Sequence, residues 1–206
     1  MRSNRSFMHT SWPRTRIAEE RMSLFPKPYA DLVARLRVTC GFILVATFAV
    51  FSRPNLRSLV VGLAVSAIGL ILRAWATGHV EKNIRLAESG PYAYVRNPLY
   101  IGTLLVAAGF VIASRQWLLA LLFAAVFLFI YLPAIELEEQ HLRKLFPDFA
   151  AYARRVPALW PTLTPVRRPE RFRWRLYIRN REYQALIGFL AGALYLIARV
   201  LVQAST

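Results

Sequence analysis

Apolar residues along the chain gather into five runs, Val38 to Phe51, Ser58 to Leu72, Leu99 to Ala113, Trp117 to Ile135 and Tyr183 to Ala198, and nearly every charge falls between them. None of the runs carries the charged stripe of an amphipathic surface helix, and four are flanked by Arg within a residue or two. Membrane-crossing helices are therefore predicted in preference to the buried helices of a soluble core. Only the fourth run reaches the roughly 17 to 25 residues that span a hydrocarbon core comfortably. The others are expected to extend through snorkelling Arg side chains or to thin the bilayer locally. Ser114-Arg115-Gln116 joins the third and fourth runs and suits a tight antiparallel hairpin. The predicted fold class is all-α: a polytopic membrane protein of about five transmembrane helices, with spans near 36–52, 57–74, 98–113, 117–135 and 183–202 and a basic arm over residues 1–30.

Composition alone does not decide this, since 206 residues with 56% hydrophobic content could also form one soluble domain. The net charge of +16 invites a nucleic-acid partner. Its distribution argues otherwise. Of the 27 Lys and Arg residues, 23 lie in segments 1–37, 73–98 and 136–182, and only Arg53, Arg57, Arg115 and Arg199 lie opposite them. That asymmetry is what the positive-inside rule predicts, so the N-terminus and both long loops are expected in the cytosol, with no nucleic acid needed. Arg167, Arg168, Arg171, Arg173 and Arg175 are also placed to meet anionic headgroups. Cys40, the single cysteine, lies within the first run and reads as a small buried hydrophobe. The first thirty residues lack the apolar core of a signal peptide, so the first span is expected to serve as its own insertion signal, and Met22 is an alternative start.

Two cytosolic stretches are left to carry chemistry, His79 to Pro98 and Glu136 to Glu182. The first ends Gly90-Pro91-Tyr92-Ala93-Tyr94-Val95-Arg96-Asn97-Pro98-Leu99-Tyr100-Ile101-Gly102. Two prolines bracket a rigid, non-helical segment at the start of a helix. Free backbone N–H groups there favour an anion, Arg96 adds a planar fork suited to a carboxylate, and Tyr92, Tyr94 and Tyr100 offer faces for a flat ring or a cation. The second stretch opens Glu136-Leu137-Glu138-Glu139-Gln140-His141, continuing the fourth helix out of the bilayer. At helical spacing Glu136, Glu139 and Gln140 share a face, while Glu138 and His141 point elsewhere. So many ionisable groups beside hydrocarbon need partners, and an interfacial cluster with Arg96, Arg143 or Lys144 weighs equally with a site.

The segment Gly90 to Gly102, followed by Glu138-Glu139-x-x-Leu142, Phe146, Tyr152, Val156-Pro157 and Pro161, resembles the signature of the isoprenylcysteine carboxyl methyltransferase and phospholipid methyltransferase superfamily. Arg73-Ala74-Trp75-Ala76 and Gly78-His79 resemble the lead-in of bacterial members, whose place is the inner membrane. The resemblance covers residues 70–162. It implies a helical membrane fold that binds S-adenosylmethionine near the cytosolic face without a Rossmann domain, and the chain agrees in having no strand-borne G-x-G-x-x-G. By that resemblance Tyr94, Arg96, Asn97, Tyr100, Gly102, Glu138 and Glu139 line the cofactor pocket; Tyr92 and His79 are expected to join them in binding the cofactor, and Arg96, Glu138 and Glu139 to carry the catalysis, with no metal. Asn97 stands where many members have His, Pro147 where Gly is usual, and Phe149 where Tyr is usual. These departures bear on the acceptor.

Methyl transfer from a sulfonium is an in-line displacement that asks mainly for alignment in a water-poor pocket. A carboxylate acceptor needs no base, whereas an amine must first lose a proton to Glu138, Glu139, His79 or His141. The expected partners are a lipophilic or lipid substrate entering sideways and the membrane lipids themselves. Gly62, Gly69, Gly102, Gly109, Gly188 and Gly192 would let helices approach closely, and Gly188 with Gly192 forms a G-x-x-x-G compatible with a monomer or a homodimer. The stretch Arg167 to Arg181 interleaves Arg with aromatic and aliphatic residues and reads as an amphipathic segment on the membrane. Alternatives are a membrane reductase related to the sterol reductases, which would use a nicotinamide cofactor and more spans, and a non-catalytic membrane scaffold.

Overall fold

A computed structural model describes residues 27–165 and 170–205; the arm up to residue 26, Met22 within it, and Arg167 and Arg168 lie outside the described residues. The described residues form seven α-helices: α1 Lys27–Phe51, α2 Leu56–Thr77, α3 Pro98–Ser114, α4 Trp117–Leu145, α5 Phe149–Arg155, α6 Trp174–Arg179 and α7 Tyr183–Ser205. No strand occurs among them. The chain is an all-helical polytopic membrane protein, as its apolar runs predict.

Helices α2, α4 and α7 are long and apolar enough to cross a membrane, while the apolar part of α1, Thr39–Phe51, and α3 are shorter. The expectation that only the fourth run reaches crossing length is thereby corrected. Helix α2 gains its length from Asn55, which caps it by accepting from the Ser58 N–H at 2.8 Å while Ser58 returns the bond as a capping box. Helix α7 runs on through Val200 to Ser205, beyond the apolar run.

The tightest contact is the α2–α3 seam. A Cβ on Gly62 would fall 2.4 Å from the Gly109 carbonyl oxygen, and one on Gly69 would fall 2.6 Å from that of Gly102. Only glycine lets two backbones meet so closely, and in lipid such packing replaces the hydrophobic effect as the force between helices. Ser66 Oγ sits in the seam and donates to the Val106 carbonyl at 2.8 Å. Gly192 of α7 receives the Phe110 ring, so that part of the G-x-x-x-G packs within the chain, and Gly188 has nothing within 4 Å of its added Cβ.

The turn between α3 and α4 is tight, as expected, and is made by Arg115 in the left-handed region at φ 56°. Helix α4 contains a π-helical turn, Phe127–Tyr131. This wider turn shifts the register of everything beyond it. The Tyr29 hydroxyl of α1 donates to the Phe129 carbonyl at 2.6 Å, satisfying one backbone group of the widened turn. Rings of Phe123, Phe127 and Tyr131 follow one another at centroid spacings of 6.4 and 6.3 Å up to the polar end of the helix.

Candidate active site

The polar end of the bundle is assembled from the two stretches that the sequence leaves between its runs. Gly90–Ala93 form one 3-10 turn, and Gly90 adopts φ 58° with its Cα against the His79 ring, where an added Cβ would stand 2.6 Å from Cδ2. Glycine is thus required there both for conformation and for space. Asn97, restricted by the following proline, is the N-cap residue of α3 with Pro98 in its first turn. Between these points residues 94–97 lie alongside 157–162. The N–H groups of Arg96 and Asn97 donate to the carbonyls of Pro157 and Ala158 at 2.9 and 3.2 Å, and the Thr162 N–H donates to the Tyr94 carbonyl at 2.8 Å.

This pairing sets Arg96 against α4. Its Nε and Nη2 each donate to one oxygen of Glu139 at 3.0 Å, and Nη1 donates to the Ala153 carbonyl at 2.8 Å. Both side chains of the pair are 16% exposed. The Asn97 side-chain amide donates to the same Glu139 carboxylate at 2.8 Å and to the Ala158 carbonyl at 3.2 Å. Asn97 thus fixes Glu139 without bringing a titratable group. One residue earlier on α4, Glu138 turns the other way and accepts from the Tyr100 hydroxyl at 2.9 Å.

An open cavity of about 480 Å3 lies beside this cluster. Its wall includes the cations Arg73, Lys82, Arg96 and Arg181, the carboxylates Glu138 and Glu182, the rings of Tyr92, Tyr100 and Tyr131, and the amides of Asn97 and Asn180. In the same wall, Arg73 grips the buried Glu182 through Nε at 2.7 Å and Nη2 at 3.0 Å, while Nη1 donates to Thr103 and to the Leu99 carbonyl. Asn180 ties the end of α6 to the end of α2 by donating to the carbonyls of Thr77 and Val80. Burial, then the neighbouring Glu138 and Glu182, push the Tyr92 hydroxyl well above the ordinary tyrosine range. A shift in that direction favours the protonated hydroxyl.

Of the residues expected to bind a cofactor, Tyr92, Arg96, Asn97, Tyr100 and Glu138 line the cavity, and Glu139 stands behind Arg96 as its partner. The structure places three elsewhere. Gly102 belongs to the helix seam, against Gly69 and the Arg73 stem. Tyr94 contributes backbone bonds. His79 is buried behind the cavity, its Nδ1 3.1 Å from Ser89 Oγ and its ring edge-on to Phe172. Burial holds the His79 pKa below its ordinary value, with Arg173 and Arg85 acting in the same sense and Glu170 opposing them. His141 lies outside, 3.3 Å from Asn83 Oδ1. In segment 170–181 Phe172 covers Gly78, where an added Cβ would be 2.2 Å from the ring, and Leu176 is buried, while Trp174 and Ile178 are exposed.

Sequence reasoning missed Arg73 and Glu182 as a pair, together with Lys82, Asn180 and Arg181 in the cavity wall. The available signal was positional: Arg73 and Glu182 each stand at the end of an apolar run, where an unpaired charge is costly. Among the described residues no three His, Cys, Asp or Glu side chains come together as a metal site.

Fold and cavity together define a helical membrane protein with a polar, mixed-charge site at one membrane boundary. Residues 56–148 match the phospholipid methyltransferase family model. The cobalt-zinc-cadmium resistance protein CzcN of Cupriavidus metallidurans is 34% identical over 105 residues, 50% of this chain and 47% of that protein. The nickel-cobalt-cadmium resistance protein NccN of Alcaligenes xylosoxydans xylosoxydans is 32% identical over 108 residues, 52% and 51% of the two chains. The protein-S-isoprenylcysteine O-methyltransferase of Schizosaccharomyces pombe is 27% identical over 143 residues, 66% of this chain and 60% of that one. The chain spans about half the length of the first two relatives. No solved structure matches. Over residues 56–148, just under half of its length, the chain is thus similar to the phospholipid methyltransferase family, and over a longer stretch to an isoprenylcysteine methyltransferase.

Proposed function

We propose that this protein transfers a methyl group from S-adenosylmethionine to a lipophilic acceptor at the cytosolic face of the membrane in which it is embedded. The observation that carries the reading is the meeting of the two motif halves. Arg96 and Asn97 from the segment before α3 close on Glu139 of α4, while Tyr100 and Glu138 from the same two helices face an open cavity. The cavity volume lies within the roughly 300 to 1,000 Å3 usual for small-molecule sites.

The donor set suits a zwitterionic, sulfonium-bearing nucleoside. Lys82 and Arg181 offer cations for a carboxylate, Glu138 offers an anion for an ammonium or a pair of ribose hydroxyls, and Tyr92, Tyr100 and Tyr131 offer ring faces. When bound, S-adenosylmethionine supplies an electrophilic methyl on a positively charged sulfur. Arg96 is assigned a different part from that expected of it from sequence. Two of its nitrogens are committed to Glu139, so it sets the shape of the wall and leaves the carboxylate to the cations opposite. The paired Arg73 and Glu182 compensate each other in the cavity wall, so neither is left there as a lone charge. Glu138 is the group placed to take a proton from an amine acceptor, since His79 and His141 lie outside the cavity. A carboxylate or thiolate acceptor would need no base.

The charge asymmetry between the two ends of the bundle supports placing this site in the cytosol and, with the bacterial metal-resistance relatives, supports a bacterial inner membrane. The test is incubation of the purified protein with methyl-labelled S-adenosylmethionine and lipid extract from its own source. A labelled lipophilic product is expected. Binding of the cofactor by the protein without any labelled product across neutral and acidic lipid fractions would overturn the transfer reading.

A further inference from the structure

Leu163 is 95% exposed and Trp160 is 82% exposed, and both stand in the loop that follows α5. Their depth relative to the membrane follows from helix lengths. Helix α3 has 17 residues, about 25 Å at 1.5 Å per residue, which is less than the roughly 30 Å of a hydrocarbon core. It lies against the membrane-crossing α2 from Gly109 on Gly62 to Gly102 on Gly69, and Arg73 Nη1 reaches the Leu99 carbonyl. Pro98 is therefore level with the last turn of α2, at the edge of the hydrocarbon. The loop is bound to that level, because Ala158 accepts from the Asn97 N–H and Thr162 donates to Tyr94. Trp160 stands midway between those two bonded residues.

An exposed tryptophan at the hydrocarbon edge has an amphipathic ring suited to the headgroup region, where Trp is enriched. The loop is stiff, with prolines at 157, 161 and 165. Arg154 and Arg155 immediately before it are exposed, and no acidic residue occurs from Phe149 to Pro165, a charge pattern complementary to anionic headgroups. We propose that the 159–163 loop is a membrane anchor whose Trp160 and Leu163 are seated among lipids of the leaflet that the cavity faces. The same backbone bonds that set its depth position Arg96 and Asn97, so the anchor fixes the site to the bilayer surface.

The test uses the full chain in nanodiscs of phosphatidylcholine and phosphatidylglycerol. With Trp12, Trp75, Trp117 and Trp174 replaced by Phe, Trp160 fluorescence is expected to fall at least twofold when the acyl chains are brominated near the headgroup, and to resist quenching by aqueous iodide. Should the fourfold variant not fold, Cys40→Ser with Leu163→Cys in the same nanodiscs is expected to react with a water-soluble maleimide at least tenfold more slowly than the urea-unfolded protein. Efficient iodide quenching with no effect of bromine, or maleimide reaction as fast as in the unfolded chain, would overturn the proposal. Neither readout involves methyl transfer, so each stands or falls separately from the proposed activity.

Discussion

The α2–α3 seam and the polar end of the same two helices hold together by opposite means. In the seam, glycine backbones touch and the Ser58 and Ser66 hydroxyls cross between helices. One turn beyond it, Arg73 reaches from α2 over α3 to Glu182, and Arg96 from the foot of α3 to Glu139 on α4. Lipid gives apolar side chains no reason to prefer each other, so close backbone packing does the work in the seam. At the boundary, charges are half-hydrated, and two-point ion pairs become worth making. The seam therefore has no tolerance for added atoms, while the polar end depends on keeping its hydrogen-bonded ion-pair partners.

Substitutions can break this contrast in order of effect. Gly109→Leu would drive a side chain into the Gly62 carbonyl, 2.3 Å from the added Cβ alone. The cost is expected to exceed the roughly 3 kcal/mol of ordinary overpacking and to leave no folded protein by size exclusion in detergent. The control Gly188→Ala, with open space around it, is expected to fold normally. Next, Glu139→Ala removes the partner of Arg96 and Asn97 together, and about 3 kcal/mol of stability should be lost, as for a buried pair cut on one side. Its thermal midpoint should drop, and Glu139→Gln should recover part of the loss.

A smaller effect is expected from Tyr29→Phe, which deletes one hydroxyl bond to the π-helical turn and should cost about 1 kcal/mol. A drop as large as that of Glu139→Ala would show that the widened turn, not the ion pairs, organises the polar end. Smallest is the pH response of His79. Its folded pKa lies below the ordinary 6.5, so the unfolded chain takes up the proton first and stability falls as pH drops through 6.5. His79→Gln should flatten that part of the thermal midpoint against pH curve, and an unchanged slope would place the sensitivity elsewhere.

The seam was legible in the sequence because its glycines recur along two apolar runs, and so was the tight hairpin. The site was legible only in part. Tyr92, Arg96, Asn97 and Glu138 stand in short contiguous motifs, and the structure gathers them in the wall of one cavity. The pairing of Arg73 with Glu182 joins positions 109 apart and depends on how the last helix returns to the second, which no local pattern encodes. The π-helical turn at Phe127–Tyr131 left no mark in a run that is apolar throughout. Gly102, which the family resemblance puts in the cofactor pocket, lies in the seam against Gly69 and the Arg73 stem. The motif thus carries two duties, and spacing alone does not separate them.

The central claim is that the cavity between Glu138, Tyr92 and Arg181 holds S-adenosylmethionine. Isothermal titration of the purified protein with S-adenosylmethionine tests it most directly. Saturable one-to-one binding is predicted, weakened at least tenfold by Glu138→Ala and by Arg181→Ala in protein that remains folded. Absence of binding to the folded wild-type protein, or affinity unchanged in both variants, would contradict the account.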